Sequence, residues 1–162
     1  MTTNEIETVS VLATNEGERL QALGETVIIK TERYGIGLAE IVLQPGSSNP
    51  LHRHPAWEMF YVTEGVVEVG MVVDGAPTSR AMAQGTTVVV PSDVPHCLHN
   101  PGPGEARLVI VYQDSIGPFF RDLAACVADV PPGPPSDEVI GRVVQTATAH
   151  GQTILGPHPA TV

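Results

Sequence analysis

Apolar positions along this chain come in short, β-branched runs cut by glycine, proline and aspartate. Residues 26–31 and 36–43 predict two strands with a turn at Tyr34-Gly35, the second closed by Pro45-Gly46. The series continues with strands over 59–63, 66–73, 79–83, 86–90, 96–100 and 107–112, and Asp74-Gly75 marks a hairpin. Nearer the start, residues 9–12 predict a short strand and 17–24 a turn or single helical loop. Short strands at regular spacing, with no helices between them, predict a sandwich or barrel rather than βαβ units. Inward positions would include Phe60, Val62 and Val88.

Beyond residue 115 the period changes. Ile116, Phe119, Phe120, Leu123 and Val127 recur at helical spacing, and Pro118 suits a first turn with Gly117 or Ser115 as cap. A stiff proline-rich link over 130–136 follows. Ser136 is placed to cap a second helix, with Asp137 and Glu138 in its first turn. Val139, Ile140, Val143, Val144 and Ala147 form its expected buried stripe; Gly151 stops it, and the segment Ile154-Leu-Gly-Pro is expected to dock. Such helices are too short to stand alone, so they must pack on the barrel or on a second subunit. The expected organisation is one domain over 1–162: an arm over 1–25, a barrel core over 26–115 and a helical tail over 116–162. The apolar tail exceeds what one barrel face covers, which predicts a homodimer.

Charge narrows the partners. A formal charge of −10 over 162 residues argues against nucleic acid and anionic membranes, both of which require basic patches. No apolar run is long enough to span a bilayer, and the acidic start, Met-Thr-Thr-Asn-Glu-Ile-Glu, predicts a cytoplasmic address. Cys97 and Cys126 are too few for a disulfide framework. Cys97 follows His96 and, on a strand, faces the other way; Cys126 falls on the first tail helix.

Chemistry concentrates in two stretches. Residues two apart on a strand share a face, so His52 and His54 can reach one point. Glu58 follows after a bend at Pro55, and His96 would add a third imidazole from across the closed sheet. Three neutral imidazoles and one carboxylate suit one divalent transition metal ion per chain (Fe, Mn, Ni, Co, Cu or Zn) rather than Mg or Ca. A His-x-His pair alone is more often a surface feature; the conjunction of the two stretches makes the site. His99 is expected to face outward, His150 to sit at a helix end, and His158 carries no assignment. Trp57 and Tyr61 read as shell or interface aromatics, and Lys30 and Arg53 as weak candidates for holding an anionic substrate.

The fixed positions Gly46, His52, His54, Glu58, Gly65 and then Gly85, Pro91, His96, Asn100 resemble the cupin superfamily, whose motifs read G-x5-H-x-H-x3-4-E-x6-G and G-x5-P-x-G-x2-H-x3-N. One position departs: Asp93 stands where the second motif has glycine, at a turn where aspartate tolerates a left-handed backbone. The resemblance implies an all-β, double-stranded β-helix (jelly-roll barrel) with a short helical tail and a metal held by His52, His54, Glu58 and His96. Phe119-Phe-Arg121, the proline-rich link and Leu155-Gly-Pro157 are similar to the single-cupin group related to quercetin 2,3-dioxygenase. That group implies a metal-dependent oxygenase acting on a small enolic or phenolic, flavonol- or polyketide-like, compound, with Glu58 as proton acceptor. The same site without oxygen chemistry would support a cyclase, isomerase, decarboxylase or lyase, and a small-molecule binding module is a third reading.

Overall fold

In the computed structural model, residues 9–131 and 133–159 are described. The predicted strands pair into two antiparallel sheets. In chain order they are β1 (Glu18–Ala22), β2 (Glu25–Arg33), β3 (Ile36–Leu43), β4 (Leu51–Arg53), β5 (Glu58–Glu64), β6 (Val66–Val73), β7 (Ala76–Ala83), β8 (Thr87–Val90), β9 (His96–His99) and β10 (Ala106–Gln113). Two helices follow, α1 (Gly117–Cys126) and α2 (Asp137–Ala149), and then β11 (Thr153–Gly156). One sheet runs β1-β2-β3-β10-β5-β8 and the other β11-β4-β9-β6-β7. The sheets close face to face as the jelly roll expected from the strand pattern. The core between them takes alternate residues of each strand: Val27 and Ile29, Ile41 and Leu43, Phe60 and Val62, Leu108 and Ile110.

Turn chemistry sets the registers. Val73 pairs with Ala76 across a two-residue turn in which Asp74 (φ 50°) and Gly75 (φ 79°) are both left-handed, the type that matches strand twist. Pro77 lies inside β7, which is tolerated because β7 is an edge strand. Asp93 does take the left-handed conformation (φ 61°) in place of glycine, and its N–H donates to the carbonyl of His54 at 2.8 Å. Asn100, almost fully buried, donates to the carbonyls of Leu43 (2.9 Å) and Gly104 (2.8 Å) and accepts from the N–H of Gly102 (2.9 Å). The asparagine of the second motif therefore ties down the turn before β10.

Several expectations are corrected. Residues 9–12 form no strand: Val9 and Val11 are 92% and 85% exposed, so their β-branched character has nothing to pack against. Residues 18–22, expected in a turn or helical loop, form β1, because a left-handed turn at Leu23-Gly24 returns the chain along β2. Sheet strands thus lie on both sides of the 26–115 span expected for the barrel. Neither Gly117 nor Ser115 caps α1; a 3-10 turn over Asp114–Ile116 leads into it, and Ile116 occupies the cap. Ser136 does cap α2, accepting from the N–H of Val139 at 3.4 Å. Of the expected stripe on α2, Val139 and Ala147 are buried and Val143 half-buried, whereas Ile140 and Val144 are exposed. The acidic start that predicted a cytoplasmic address lies in residues 1–8, outside the described residues; no helix among the described residues is long and apolar enough to cross a membrane.

Helix α1 is tied to the barrel by a partly exposed ion-pair network. The Arg121 guanidinium on α1 meets Glu18 of β1 (Nη2 to Oε2, 2.6 Å) and Glu32 of β2 (Nη2 to Oε2, 2.7 Å), and Glu32 Oε1 accepts from the Tyr112 hydroxyl at 3.0 Å. Two glycines make room: Gly117 lies directly against the Glu32 carboxylate and Gly37 against the Tyr112 ring, and a Cβ at either would collide. Of the segment expected to dock, Ile154-Leu-Gly-Pro, residues Ile154–Gly156 do so as part of β11, with Thr153 paired to Arg53 and Ile154 to His52.

Candidate metal centre

The four predicted ligands converge. His52 lies on β4, His54 just after it, His96 opens β9 and Glu58 opens β5. His52 pairs directly with His96 across β4–β9, so all three imidazoles come from one sheet and its adjoining turn. The expectation that His96 reaches across the barrel is corrected; Glu58 is the residue contributed by the opposite sheet. The metal-binding atoms of the three histidines lie within 4.8 Å of one another. Glu58 Oε1 is 2.5 Å from His96 Nε2 and 3.6 Å from His54 Nε2.

Backbone carbonyls settle which nitrogen of each ring faces the centre. The Nδ1 of His52 bonds to the carbonyl of Pro50 (2.8 Å), that of His54 to Ala56 (2.9 Å) and that of His96 to Val94 (2.9 Å). A carbonyl only accepts, so each Nδ1 donates and each Nε2 keeps a lone pair turned inward. The Nε2 of His96 is buried and makes no hydrogen bond of acceptable geometry, although Glu58 is close by. Lone pairs aimed at one shared point, rather than along hydrogen bonds, are what a transition metal ion requires, and this donor set fits one.

Electrostatics favour the donor forms of His52 and Glu58, but not that of His96. Burial, reinforced by the neighbouring His96, lowers His52 to about 4, so its ring is neutral at neutral pH. Burial alone would raise the Glu58 carboxyl, but His54 and His96 together bring it to about 2, so it is ionised. Burial opposes protonation of His96 too, yet the Glu58 carboxylate prevails and raises it.

These residues form the floor of a cavity of about 100 Å³ whose walls include Phe60, Ile110, Phe119, Phe120 and Leu123. The tail helices thus roof the site. Of the expected inward residues, Phe60 lines this space, whereas Val62 and Val88 pack into the core away from it. Neither weak anion candidate reaches it. Lys30 pairs with Glu40 at 3.0 Å and donates to the carbonyls of Ala13 and Glu16, and Arg53 is exposed. His99 faces outward, its Nδ1 bonded to the carbonyl of Ser47 and its ring 5.2 Å from that of His158. His150 caps α2 and meets Asp122 of α1 at 2.7 Å. Cys97 faces away from the metal-binding atoms, packed against Gly70, and burial pushes its thiol up to about 12; Cys126 is half-buried on α1. Trp57 and Tyr61 do not line the cavity, and Tyr61 is exposed.

Three polar residues of the lining were not anticipated: Glu25, Asn49 and Gln152. Asn49 precedes the first histidine and accepts from the N–H of Leu98 at 2.7 Å, bracing β9 beside His96. Its Asn-Pro step was the available signal. Glu25 and Gln152 lie far from both motifs and have no local signature.

The fold and the donor set are similar to those of cupins. Residues 39–112 match the family model described as a cupin domain. Germin-like protein 1-1 of Oryza sativa subsp. japonica is 31% identical over 102 residues, 62% of this chain and 47% of that protein. Oxalate oxidase 1 of Hordeum vulgare is 31% identical over 107 residues, 62% of this chain and 53% of that protein. The chain thus spans about half the length of these relatives. Among solved structures, an oxalate oxidase in complex with the substrate analogue glycolate superposes with a TM-score of 0.58 at 22% identity, covering 91% of this chain and 86% of that one.

Proposed function

We propose that this protein is a metal-dependent cupin oxygenase acting on a small enolic or phenolic compound with an apolar body. The observation that carries this reading is the division of the cavity. His52, His54, Glu58 and His96 occupy the floor; aromatic and aliphatic side chains form most of the wall, and no lysine or arginine lines it among the described residues. A flat molecule with one ionisable oxygen suits such walls, whereas a small dianion would find no cationic side chain there.

A transition metal held by these four groups supplies a Lewis acid and a redox centre. The three imidazoles hold their Nε2 lone pairs on one point through their Nδ1 bonds. The Glu58 carboxylate, ionised and closed off from bulk water, is placed to accept the proton that a substrate hydroxyl releases on binding. Phe119 and Phe120 of α1 exclude water and align a flat ring over the floor.

The narrower likeness to quercetin 2,3-dioxygenase rests on flanking segments only: residues 17–24, Phe119-Phe-Arg121, the proline-rich link and Leu155-Gly-Pro157. A second reading, oxidation of a small dicarboxylic acid, is favoured by the 31% identity to Oxalate oxidase 1. Oxygen uptake by protein loaded separately with Mn, Fe, Co, Ni or Cu, against flavonols, catechols and oxalate, tests both. The expected result is uptake matched to loss of the enol or phenol. Uptake with oxalate alone favours the second reading, and conversion at an unchanged rate without oxygen replaces both with a cyclase, isomerase or lyase.

A further inference from the structure

Glu25 opens β2, with Ala22 opposite it across the β1–β2 turn and Leu43 opposite it on β3. On β2 the residues two and four further on, Val27 and Ile29, point into the core, and the strand period places Glu25 on the same face. A carboxylic acid therefore stands where the pattern calls for a hydrocarbon. It lines the same cavity as His52, His54, Glu58 and His96. Its Oε1 is out of contact with solvent and has no hydrogen-bond partner, and among the described residues no cation lies within 4.0 Å to form an ion pair. An unpaired buried polar atom is costly and rare in native proteins, so such a group signals a missing partner. The polar residue Asn49 of the same lining accepts from Leu98 through its Oδ1, and its amide makes no hydrogen bond to Glu25 Oε1.

We infer that Glu25 recognises the end of the substrate remote from the metal ligands, as a neutral carboxyl group donating its O–H to a carbonyl or carboxylate oxygen. Burial raises its pKa to about 7, which keeps the donor form populated near neutral pH. The inference rests on the metal-centred reading above and adds a substrate class: a molecule with a metal-binding oxygen at one end, an apolar middle and an acceptor oxygen at the other. A two-carbon acid lacks that apolar middle.

The test uses Co(II)-loaded protein and catechol probes, whose binding is followed through the visible spectrum of the cobalt. Each probe carries a terminal aldehyde on an arm of increasing length and is compared with the alkyl probe of the same length. At one arm length the aldehyde should bind about tenfold more tightly than its alkyl counterpart, the effect of one added buried hydrogen bond. Glu25→Gln, which keeps an N–H donor of the same shape, should preserve that ratio, and Glu25→Leu should bring it to about one. A merely structural role would weaken both probes alike and leave the ratio unchanged. If catechols bind wild type but the aldehyde is never preferred, or if the preference survives in Glu25→Leu, the assignment of Glu25 is overturned while the metal-centred reading stands. If no catechol perturbs the cobalt spectrum of wild type, the metal-centred reading falls and the assignment falls with it.

Discussion

His52 and His96 stand opposite each other across β4–β9, with ring centroids 4.4 Å apart and planes tilted by 52°. Each fastens its Nδ1 to the carbonyl two residues earlier, Pro50 and Val94, so one local device is used twice on neighbouring strands. The closeness of the rings matters chemically: burial first, then a charge on His96, disfavours protonation of His52.

Removing a ligand should therefore empty the site without dismantling the barrel. His54→Ala and His96→Ala are each expected to lower metal affinity by more than the ~10–100-fold loss typical of outer-shell changes, and so to leave purified protein strongly depleted of metal. Elemental analysis of purified protein reads the metal, and an unchanged β-type circular dichroism spectrum reads the fold. Stoichiometric metal in either variant would contradict the site.

Glu58→Gln separates holding from proton transfer. The amide preserves shape and one oxygen donor, so part of the metal is retained, while turnover should fall by about 100-fold or more with loss of the base. Metal content and kcat measured on the same preparation check this; a loss of metal with kcat per metal unchanged would make Glu58 a ligand only.

Arg121→Met cuts the tie between α1 and the barrel. With Glu18 half-exposed, the loss is expected on the order of 1 kcal/mol after allowing for solvent screening. Hydrogen bonds from Arg121 lower the Glu18 carboxyl below its ordinary value of 4.5. That contribution is present above 4.5 and disappears as pH falls through the lower folded value, so the gap in Tm between wild type and variant should narrow in acid. A gap independent of pH would assign the loss to packing alone.

Glu25 predicts the opposite sign. Its carboxyl is raised by burial from 4.5 to about 7, so the unfolded chain ionises first as pH rises. Stability is unaffected below 4.5, declines between 4.5 and 7, and is then constant. Glu25→Gln should be nearly neutral at pH 4 and stabilising at pH 8, on the order of 2 kcal/mol. Thermal melts at the two pH values decide it, and a variant less stable at pH 8 would refute the premise.

Ile140 and Val144 are 46% and 39% exposed on α2. We propose that this ridge lies in a homodimer interface. Light scattering should give twice the 17.1 kDa chain mass at micromolar concentration, and Ile140→Glu with Val144→Glu should halve it. A wild-type mass of one chain would remove the dimer.

The ligands were legible because their spacing is local: His52, His54 and Glu58 lie within one turn and its flanking strands. Which sheet each came from was not, since that depends on pairings such as His52 with His96 that join distant segments. β1 escaped notice because Glu-Arg-Leu-Gln-Ala is a polar edge strand whose role, presenting Glu18 to Arg121, is tertiary. Val9 and Val11 misled for the converse reason: β propensity without burial makes no strand. Ile140 and Val144 fit the helical period, but a period shows only that one face is apolar and not that anything covers it. Glu25 had no signature at all, because an acid at a strand start reads as a surface residue.

The docking of β11 on β4 has a consequence for biosynthesis. The three-residue strand bearing His52 is flanked by β9 on one side and by a segment far downstream on the other. Until Thr153–Gly156 emerges from the ribosome, the edge of β4 stays unpaired, and with it a row of free amides open to another nascent chain. The half of the barrel that carries the imidazoles is thus the last to be sealed during synthesis.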